Sequence, residues 1–151
     1  SVLVEYESLE FSNNAFSFTC LSNIVIPCHV TEIRESAFAN CVNLKRIEFS
    51  HDSELELIES NAFADSLIRT IVIPSKVSKI ANDTFASCDF IQSIEFLGND
   101  LYFEDSFFDC PDLKIISFPN ADSVSLNEMM FDSGFEEIFI FVKSLSIIKF
   151  I

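Results

Sequence analysis

The chain has 151 residues, is 49 % hydrophobic and carries a formal net charge of −15 from 24 acidic and nine basic side chains. This hydrophobic content is ample for a core and excludes intrinsic disorder, and the acidic balance argues against nucleic acid as a partner, because phosphate binding needs a basic surface. With two glycines in total, phosphate-binding loops of the G-x-G-x-x-G or Walker type are excluded, and left-handed turns must be few or must use Asn and Asp.

A short strand of the form Ile-x-Ile or Ile-x-Phe recurs at steps of 23, 24, 23, 22 and 22 residues. In a β-strand the outer two residues of such a triplet point to one side and the middle residue to the other. The outer residues are always large and apolar, so we expect them to face a core. The copies are Ile24-Val25-Ile26, Ile47-Glu48-Phe49, Ile71-Val72-Ile73, Ile94-Glu95-Phe96, Ile116-Ser117-Phe118 and Ile138-Phe139-Ile140, with Val2-Leu3-Val4 as an earlier one.

A turn follows each strand, and Pro27, Pro74 and Pro119 begin three of these turns. Proline ends the pairing of a strand because it has no N–H group to donate. Two apolar residues then follow, and we expect them to anchor the turn in the core. These pairs are Leu9 and Phe11, Val30 and Ile33, Leu55 and Ile58, Val77 and Ile80, Leu101 and Phe103, and Val124 and Leu126.

A small residue followed by Phe comes next in each copy, with a polar or thiol group four residues after the small one in most of them. The small residue lets backbones approach closely while the Phe fills the interior, and the segment predicts a single helical or 3₁₀ turn. The small-Phe pairs are Ala15-Phe16, Ala37-Phe38, Ala62-Phe63, Thr84-Phe85, Ser106-Phe107 and Met130-Phe131. The polar or thiol groups are Thr19, Cys41, Ser66, Cys88 and Cys110.

Self-similarity at this period predicts a repeat solenoid, since one unit cannot bury its own apolar stripe. We expect an α/β leucine-rich-repeat architecture: a parallel concave β-sheet of about six to seven short strands and a convex side of turns and short helical or 3₁₀ segments. Residues 1–151 are predicted to form a single domain of about six repeats of 22–25 residues. The stretch from Ser144 to Ile151 resembles the anchors of another copy, so we expect a fragment of a longer array or a C-terminus packed on a partner.

The repeat resembles the leucine-rich repeats of BspA-like surface antigens from bacteria and parasitic protists, which read L-x-x-I-x-I-P-x-x-V-x-x-I-G-x-x-A-F-x-x-C. The stretch from Ile24 to Phe49, IVIPCHVTEIRESAFANCVNLKRIEF, carries the likeness most fully, and the match runs from about Leu9 to Ile140. Two copies are one residue short after the small-Phe pair, and the last copy is degenerate. Arg34, Glu59 and Ala81 replace the turn glycine of that family.

The five cysteines favour buried thiols over disulfides or metal. Cys41, Cys88 and Cys110 share one repeat position, and Cys41 and Cys88 are two repeats apart, about 9–10 Å, which is too far to bridge. Distance alone leaves a bond between Cys88 and Cys110 open. Cys20 and Cys28 lie outside this series and are expected to be accessible. The sequence has no C-x-x-C pair, so we predict no zinc site.

The two histidines, His29 and His51, each lie just past a strand in adjacent repeats. They could meet near Asp52 to form a metal or acid–base site, but exposed turn positions are the expectation. We therefore predict no cofactor, no metal and no enzymatic activity. The sequence has one N-x-[ST] sequon, so Asn82 is a possible glycosylation site, with Asn82 exposed and Thr84 interior.

The outward residues of the strands form the best candidate binding surface. Exposed Val, Ile and Phe beside charges are typical of protein-binding surfaces. Such residues are also common on the surface of strands simply because they favour β-structure. One predicted row is Val25, Glu48, Val72, Glu95, Ser117 and Phe139. The other row precedes each strand triplet and comprises Asn23, Arg46, Thr70, Ser93, Ile115 and Glu137.

The resemblance implies a non-enzymatic module at a cell surface or outside the cell, binding host or other cell-surface or extracellular-matrix proteins. An intracellular, cytoplasmic scaffold built from the same repeat is the alternative, and five cysteines without a bridging pattern suit a reducing compartment slightly better. The longest apolar run, Ile138 to Val142, is too short to span a bilayer. The acidic surface either serves solubility or prefers basic partners.

Overall fold

The structure is a computed structural model that describes residues 9–104, 106–107, 109–126, 139–143 and 147–150. The described residues form a solenoid of short parallel strands. In chain order the strands are β1 (Leu9–Phe11), β2 (Asn23–Ile26), β3 (Val30–Ile33), β4 (Arg46–Phe49), β5 (Leu57–Ile58), β6 (Thr70–Ile73), β7 (Lys79–Ile80), β8 (Ser93–Phe96), β9 (Asp100–Phe103), β10 (Ile115–Phe118), β11 (Ser123–Leu126), β12 (Phe139–Val142) and β13 (Ile147–Phe150).

The strands lie on two sides of the solenoid. The Ile-x-Ile strands form the interrupted face, where β2 pairs with β4 and, separately, β6, β8, β10 and β12 form a four-stranded sheet. The apolar segments after each turn form the continuous face, a seven-stranded sheet in the order β1, β3, β5, β7, β9, β11, β13. All three sheets are parallel, as predicted, but the Ile-x-Ile strands, predicted to form one sheet of six to seven strands, form one sheet of two strands and one of four. The continuous face is new, because the sequence analysis predicted those segments as turn anchors rather than strands.

The third side of the solenoid consists of turns, and no helix is present among the described residues. The prediction of helical or 3₁₀ segments there is therefore not confirmed. Instead, successive backbone N–H groups donate in turn to their own repeat and to the next one. The N–H of Ala37 donates within its own turn to Arg34 O at 3.1 Å, and the N–H of Phe38 donates to Ala62 O of the next repeat at 2.9 Å. This alternation joins the turns of successive repeats into a third ladder, which a helix would prevent by using every N–H internally.

Left-handed residues produce this alternation. Non-glycine residues with φ between 52° and 58° recur in the described turns, four residues apart within a repeat, as at Asn61 and Asp65. Six of the nine are Asn or Asp, as the scarcity of glycine predicted, because their short polar side chains tolerate this region best. The nine are Asn14, Phe18, Ser36, Asn40, Asn61, Asp65, Asp83, Ser87 and Asp109.

A column of Phe rings fills the interior beneath the turns. Phe38 and Phe63 are fully buried, and their ring centroids lie 5.8 Å apart. Adjacent rings along the column stack at 5.1–5.8 Å, which matches the spacing of repeats and confirms the predicted interior Phe. The column comprises Phe16, Phe38, Phe63, Phe85 and Phe107.

The thiol series lies beside the Phe column. Cys41 Sγ donates to Phe16 O at 3.0 Å, Cys88 Sγ to Phe63 O at 3.2 Å and Cys110 Sγ to Phe85 O at 2.9 Å. All three residues are fully buried, and none of the five cysteines forms a disulfide, with Cys20 exposed. The prediction of buried free thiols is confirmed, and burial raises the pKa of Cys88 and Cys110.

The last strand of the interrupted face is shifted by two residues from its predicted place. In β12, Ile140 pairs with Ile116 and Phe141 with Ser117, whereas the sequence analysis aligned Phe139 with Ser117. Both alignments point the same residues inward, because a two-residue slip preserves the alternation of a strand. The predicted copies at Val2-Leu3-Val4 and Met130-Phe131, and the row member Glu137, lie outside the described residues.

Candidate protein-binding surface

The outward side chains of the interrupted face form the two predicted rows, with one change. Each rung places one residue of each row next to its counterpart, as in the pairs Asn23 with Arg46 and Val25 with Glu48. Phe139 lies in the row of Ile115 instead of the row of Ser117, and Phe141 takes its predicted place beside Ser117. Thr70, Val72, Ile115 and Phe139 are exposed, while Ser93, Glu95 and Ser117 are half-buried.

The interrupted face is broken between β4 and β6: the two strands remain neighbours but share no backbone ladder, so their facing N–H and C=O groups are not paired with each other. An edge strand offers unpaired N–H and C=O groups to a further chain. A groove of about 480 Å³ opens along the break and is lined by β4, β6 and the turns that follow them. The structure therefore places a backbone-lined opening in the middle of the predicted surface.

The sequence explains the break at one end of the strands through Pro74. On neighbouring rungs the residue after the strand donates to the rung before it, as Ser50 N donates to Ile26 O at 3.1 Å and Leu97 N to Ile73 O at 3.0 Å. Pro74 holds the same position after β6 and has no N–H group for Phe49 O. Pro119 lacks this donor too, yet β8 and β10 still pair, so proline alone does not break the sheet.

At the other end, the segment that leads into β6 is one residue short. From Phe63 to Ile71 the chain advances by eight residues, whereas from Phe38 to Ile47 it advances by nine (71 − 63 and 47 − 38). The missing residue lies between Ser66 and Ile68, ahead of the position where other rungs are joined by bonds such as Lys45 N to Ser22 O at 2.9 Å. The break thus lies where a full-length copy meets a short copy that is followed by Pro74.

Four predicted residues line this β4–β6 groove: Arg46, Glu48, Thr70 and Val72. Arg46 and Glu48 form an ion pair on β4, which leaves that wall polar but internally neutralised. On β6, Val72 is 48 % exposed and supplies the apolar wall. The groove thus combines an apolar wall, an ion pair and unpaired backbone groups. Backbone hydrogen bonds and contacts for side chains are what sheet edges offer to a bound peptide.

The predicted residues outside the groove lie on either side of it. Val25, 59 % exposed, and Asn23 line a smaller depression with Arg46 and Glu48. On the other side, Ser117 Oγ donates to Glu95 Oε2 at 3.3 Å, and Ile115 beside Phe139 forms an apolar strip. Sequence reasoning found the outward rows from their alternation, but it did not find the turn residues of the groove, whose positions depend on the break.

The continuous face has a different electrostatic pattern. Arg34 contacts carboxylates of three repeats, at 2.6 Å to Glu10, 2.8 Å to Glu32 and 3.4 Å to Glu59. Lys79 pairs with Glu104 at 2.8 Å, and this hydrogen bond lowers the pKa of Glu104. Cations on this side are therefore neutralised by acidic residues of neighbouring rungs.

The histidines are exposed or half-buried turn residues. His51 Nδ1 lies 3.2 Å from Asp52 Oδ1, and Cys28 Sγ lies 3.4 Å from His29 Nδ1. Within the described ranges, no three His, Cys, Asp or Glu side chains are grouped so that they could hold a metal ion. At the sequon Asn82 is exposed, and buried Thr84 donates its hydroxyl to Ala81 O at 2.8 Å.

Strands every 22–24 residues, parallel ladders on two sides and a stacked Phe column define a leucine-rich-repeat solenoid. The family model of the BspA type leucine rich repeat region matches six copies over residues 9–148. The chain therefore belongs to the BspA-type leucine-rich-repeat family.

Two solved structures share the fold. The T. pallidum leucine rich repeat protein TpLRR aligns with a TM-score of 0.78 and 24 % identity, over 97 % of this chain and 69 % of that one. The pneumococcal vaccine antigen PcpA aligns with a TM-score of 0.53 and 20 % identity, over 93 % of this chain and 34 % of that one. Among curated protein sequences, none matches this chain. In the described part of the chain, no helix has the length and apolar character to cross a membrane.

Proposed function

We propose that this chain is a non-enzymatic protein-binding module displayed at a cell surface or outside the cell, and that its partner docks on the interrupted face at the β4–β6 groove. The observation that carries the proposal is the break in that face, where unpaired backbone groups of two strands face each other beside Arg46, Glu48, Thr70 and Val72. A bound extended segment would lie over the groove, reach its unpaired backbone groups and set apolar side chains against Val72.

The setting at a cell surface is supported by the family and by the likeness of fold to a pneumococcal vaccine antigen. The partner is then a protein of another cell or of the extracellular matrix. Asn82 is a glycosylation site if the chain follows a secretory route, and an endoglycosidase-sensitive mass that disappears in Asn82→Gln tests this point.

An intracellular scaffold is the second candidate, and the free cysteines favour it. None of the five forms a disulfide, and Cys20 is exposed, which suits a reducing compartment. Surface biotinylation of cells that express the full-length protein separates the two: labelling supports display at the surface, and its failure in intact but not in lysed cells supports the scaffold.

The groove is tested by binding of the fluorescently labelled chain to intact cells before and after protease treatment of their surface. Val72→Glu is the informative variant, because the neighbouring rungs already carry Glu48 and Glu95 at this position, so the fold tolerates it. We expect protease-sensitive binding that Val72→Glu weakens by about tenfold, the loss of roughly 1.4 kcal/mol of contact.

The matched control is Tyr102→Ser on the continuous face, where Tyr102 is 54 % exposed and far from the groove in the order of elements. Binding that survives Val72→Glu but falls in Tyr102→Ser would move the site to the continuous face. Binding that resists protease would show that the partner is not a protein.

A further inference from the structure

A small cationic and apolar opening, the notch, lies at the start of β4 and β6. It is lined by Lys45, Leu67, Arg69 and Phe90, has a volume of about 380 Å³, and lies at the same break as the groove. Lys45 and Arg69 are exposed, Leu67 is half-buried and Phe90 is 46 % exposed. Two cations thus flank an apolar wall that solvent reaches.

The cations of the notch are not paired with carboxylates of the described residues. In the described part, Arg34, Arg46, Lys76, Lys79 and Lys143 each pair with a carboxylate, whereas Lys45, Arg69 and Lys114 form no ion pair. All three unpaired cations hold one repeat position, directly before a strand of the interrupted face. In a chain with 24 acidic side chains, this row keeps its positive charge available for a ligand.

Backbone hydrogen bonds fix the row in register. Gln92 N donates to Arg69 O at 2.7 Å and Lys114 N to Gln92 O at 3.0 Å, so these residues are successive rungs. No such bond joins Lys45 to Arg69 among the hydrogen bonds of the described residues. The ladder is absent where the notch opens, next to the segment that is one residue short.

We infer that the notch binds an acidic peptide segment of the partner, one that carries an apolar side chain next to its carboxylates. The carboxylates would lie between Lys45 and Arg69, and the apolar side chain would cover Leu67 and Phe90. This inference rests on the proposed function, since it gives the chemistry of the segment that continues along the groove. A long polyanion fits less well, because neutral Gln92 interrupts the row and the net charge of −15 repels it.

The test uses a short fluorescent peptide that alternates glutamate with leucine, and the same peptide with glutamine in place of glutamate. The variant is Lys45→Gln with Arg69→Gln, because glutamine already holds this position at Gln92. We expect the acidic peptide to bind, the double variant to bind it at least about fivefold more weakly, and added salt to weaken it further. Phe90→Ser is expected to weaken it separately.

The matched control is Lys76→Gln with Lys143→Gln, which removes the same charge away from the notch, and thermal melting confirms that each variant is folded. Equal weakening in this control would overturn the notch as a site, because net charge would then explain the effect. Equal binding of the glutamine peptide, or binding of heparin at Lys45 and Arg69 in preference to the peptide, would also overturn it. If Val72→Glu abolishes binding to cells while Lys45→Gln with Arg69→Gln leaves it intact, the notch fails and the proposed function stands.

Discussion

The two sheet faces of the solenoid are built from the same repeats but differ in continuity and in charge. The continuous face pairs seven strands without a gap, and its cations Arg34 and Lys79 are held by carboxylates of neighbouring rungs. The interrupted face divides between β4 and β6, and unpaired cations stand at its edge. The division falls where a full-length copy meets a copy that is one residue short and followed by Pro74.

This comparison shows that unpaired backbone groups and charges occur where a copy departs from the pattern, and we propose that binding occurs there. Regular copies satisfy each other's backbone groups and charges and leave little for a ligand. The copy before β6 leaves unpaired backbone groups, a groove and a notch. The following predictions test this difference, beginning with the interior that both faces share.

Removal of a ring from the Phe column should weaken both faces together. Phe63 is fully buried between Phe38 and Phe85, so Phe63→Ala is expected to lower the free energy of unfolding by about 3–5 kcal/mol. Urea denaturation measures this value. Phe18→Ala is the control, since Phe18 is 77 % exposed and should change stability by less than about 0.5 kcal/mol. Equal losses of stability in both variants would show that the Phe column makes no special contribution to the free energy of unfolding.

Repair of the irregular repeat should close the interrupted face. Insertion of one asparagine between Leu67 and Ile68 restores the length seen around Asn43, and Pro74→Ser restores the donor that Ser50 provides. The combined variant should regain at least one ladder hydrogen bond and about 1–2 kcal/mol of stability, and it should lose binding to cells. Either change alone is the control, and a combined variant that binds cells as wild type does would exclude the groove.

Amide hydrogen exchange should report the break directly. Amides of β4 and β6 that point into the break have no ladder partner, so we expect them to exchange about tenfold faster, or more, than amides of β3 and β5. Exchange measured by nuclear magnetic resonance at single-residue resolution gives the comparison within one sample. Uniform protection across both faces would show that β4 and β6 pair in solution.

The smallest expected effect is on the continuous face, where the stability of the fold should depend on pH through Glu104. The hydrogen bond from Lys79, with a second from Asn82 N at 3.1 Å, lowers the pKa of Glu104 from its ordinary value near 4.5. A carboxylate with a lowered pKa stabilises the folded state above the ordinary value, and this contribution is lost as pH falls through the folded pKa. Glu104→Gln should therefore be less stable than wild type at pH 7, and denaturation at acidic pH should show the difference shrinking.

Much of this fold can be predicted from the sequence because the same pattern of residues occurs six times along the chain. The inward residues, the Phe column and the thiol series were each predicted from positions such as Ile71, Phe63 and Cys88. The continuous face was missed because its segments, some as short as Leu57–Ile58, show no alternation that separates a strand from a turn anchor. The turns were predicted as helical because the pattern of small residues and Phe does not show where each N–H donates.

The sequence by itself determined the solenoid, its interior and the outward rows, because burial of a periodic apolar stripe needs only spacing and residue size. Tertiary structure alone decided which outward residues lie next to one another. The shift of Phe139 by two residues and the break beside Val72 depend on hydrogen bonds between copies that lie far apart in the chain. The break among those bonds lies beside a one-residue change in length, which leaves the hydrophobic pattern unaltered.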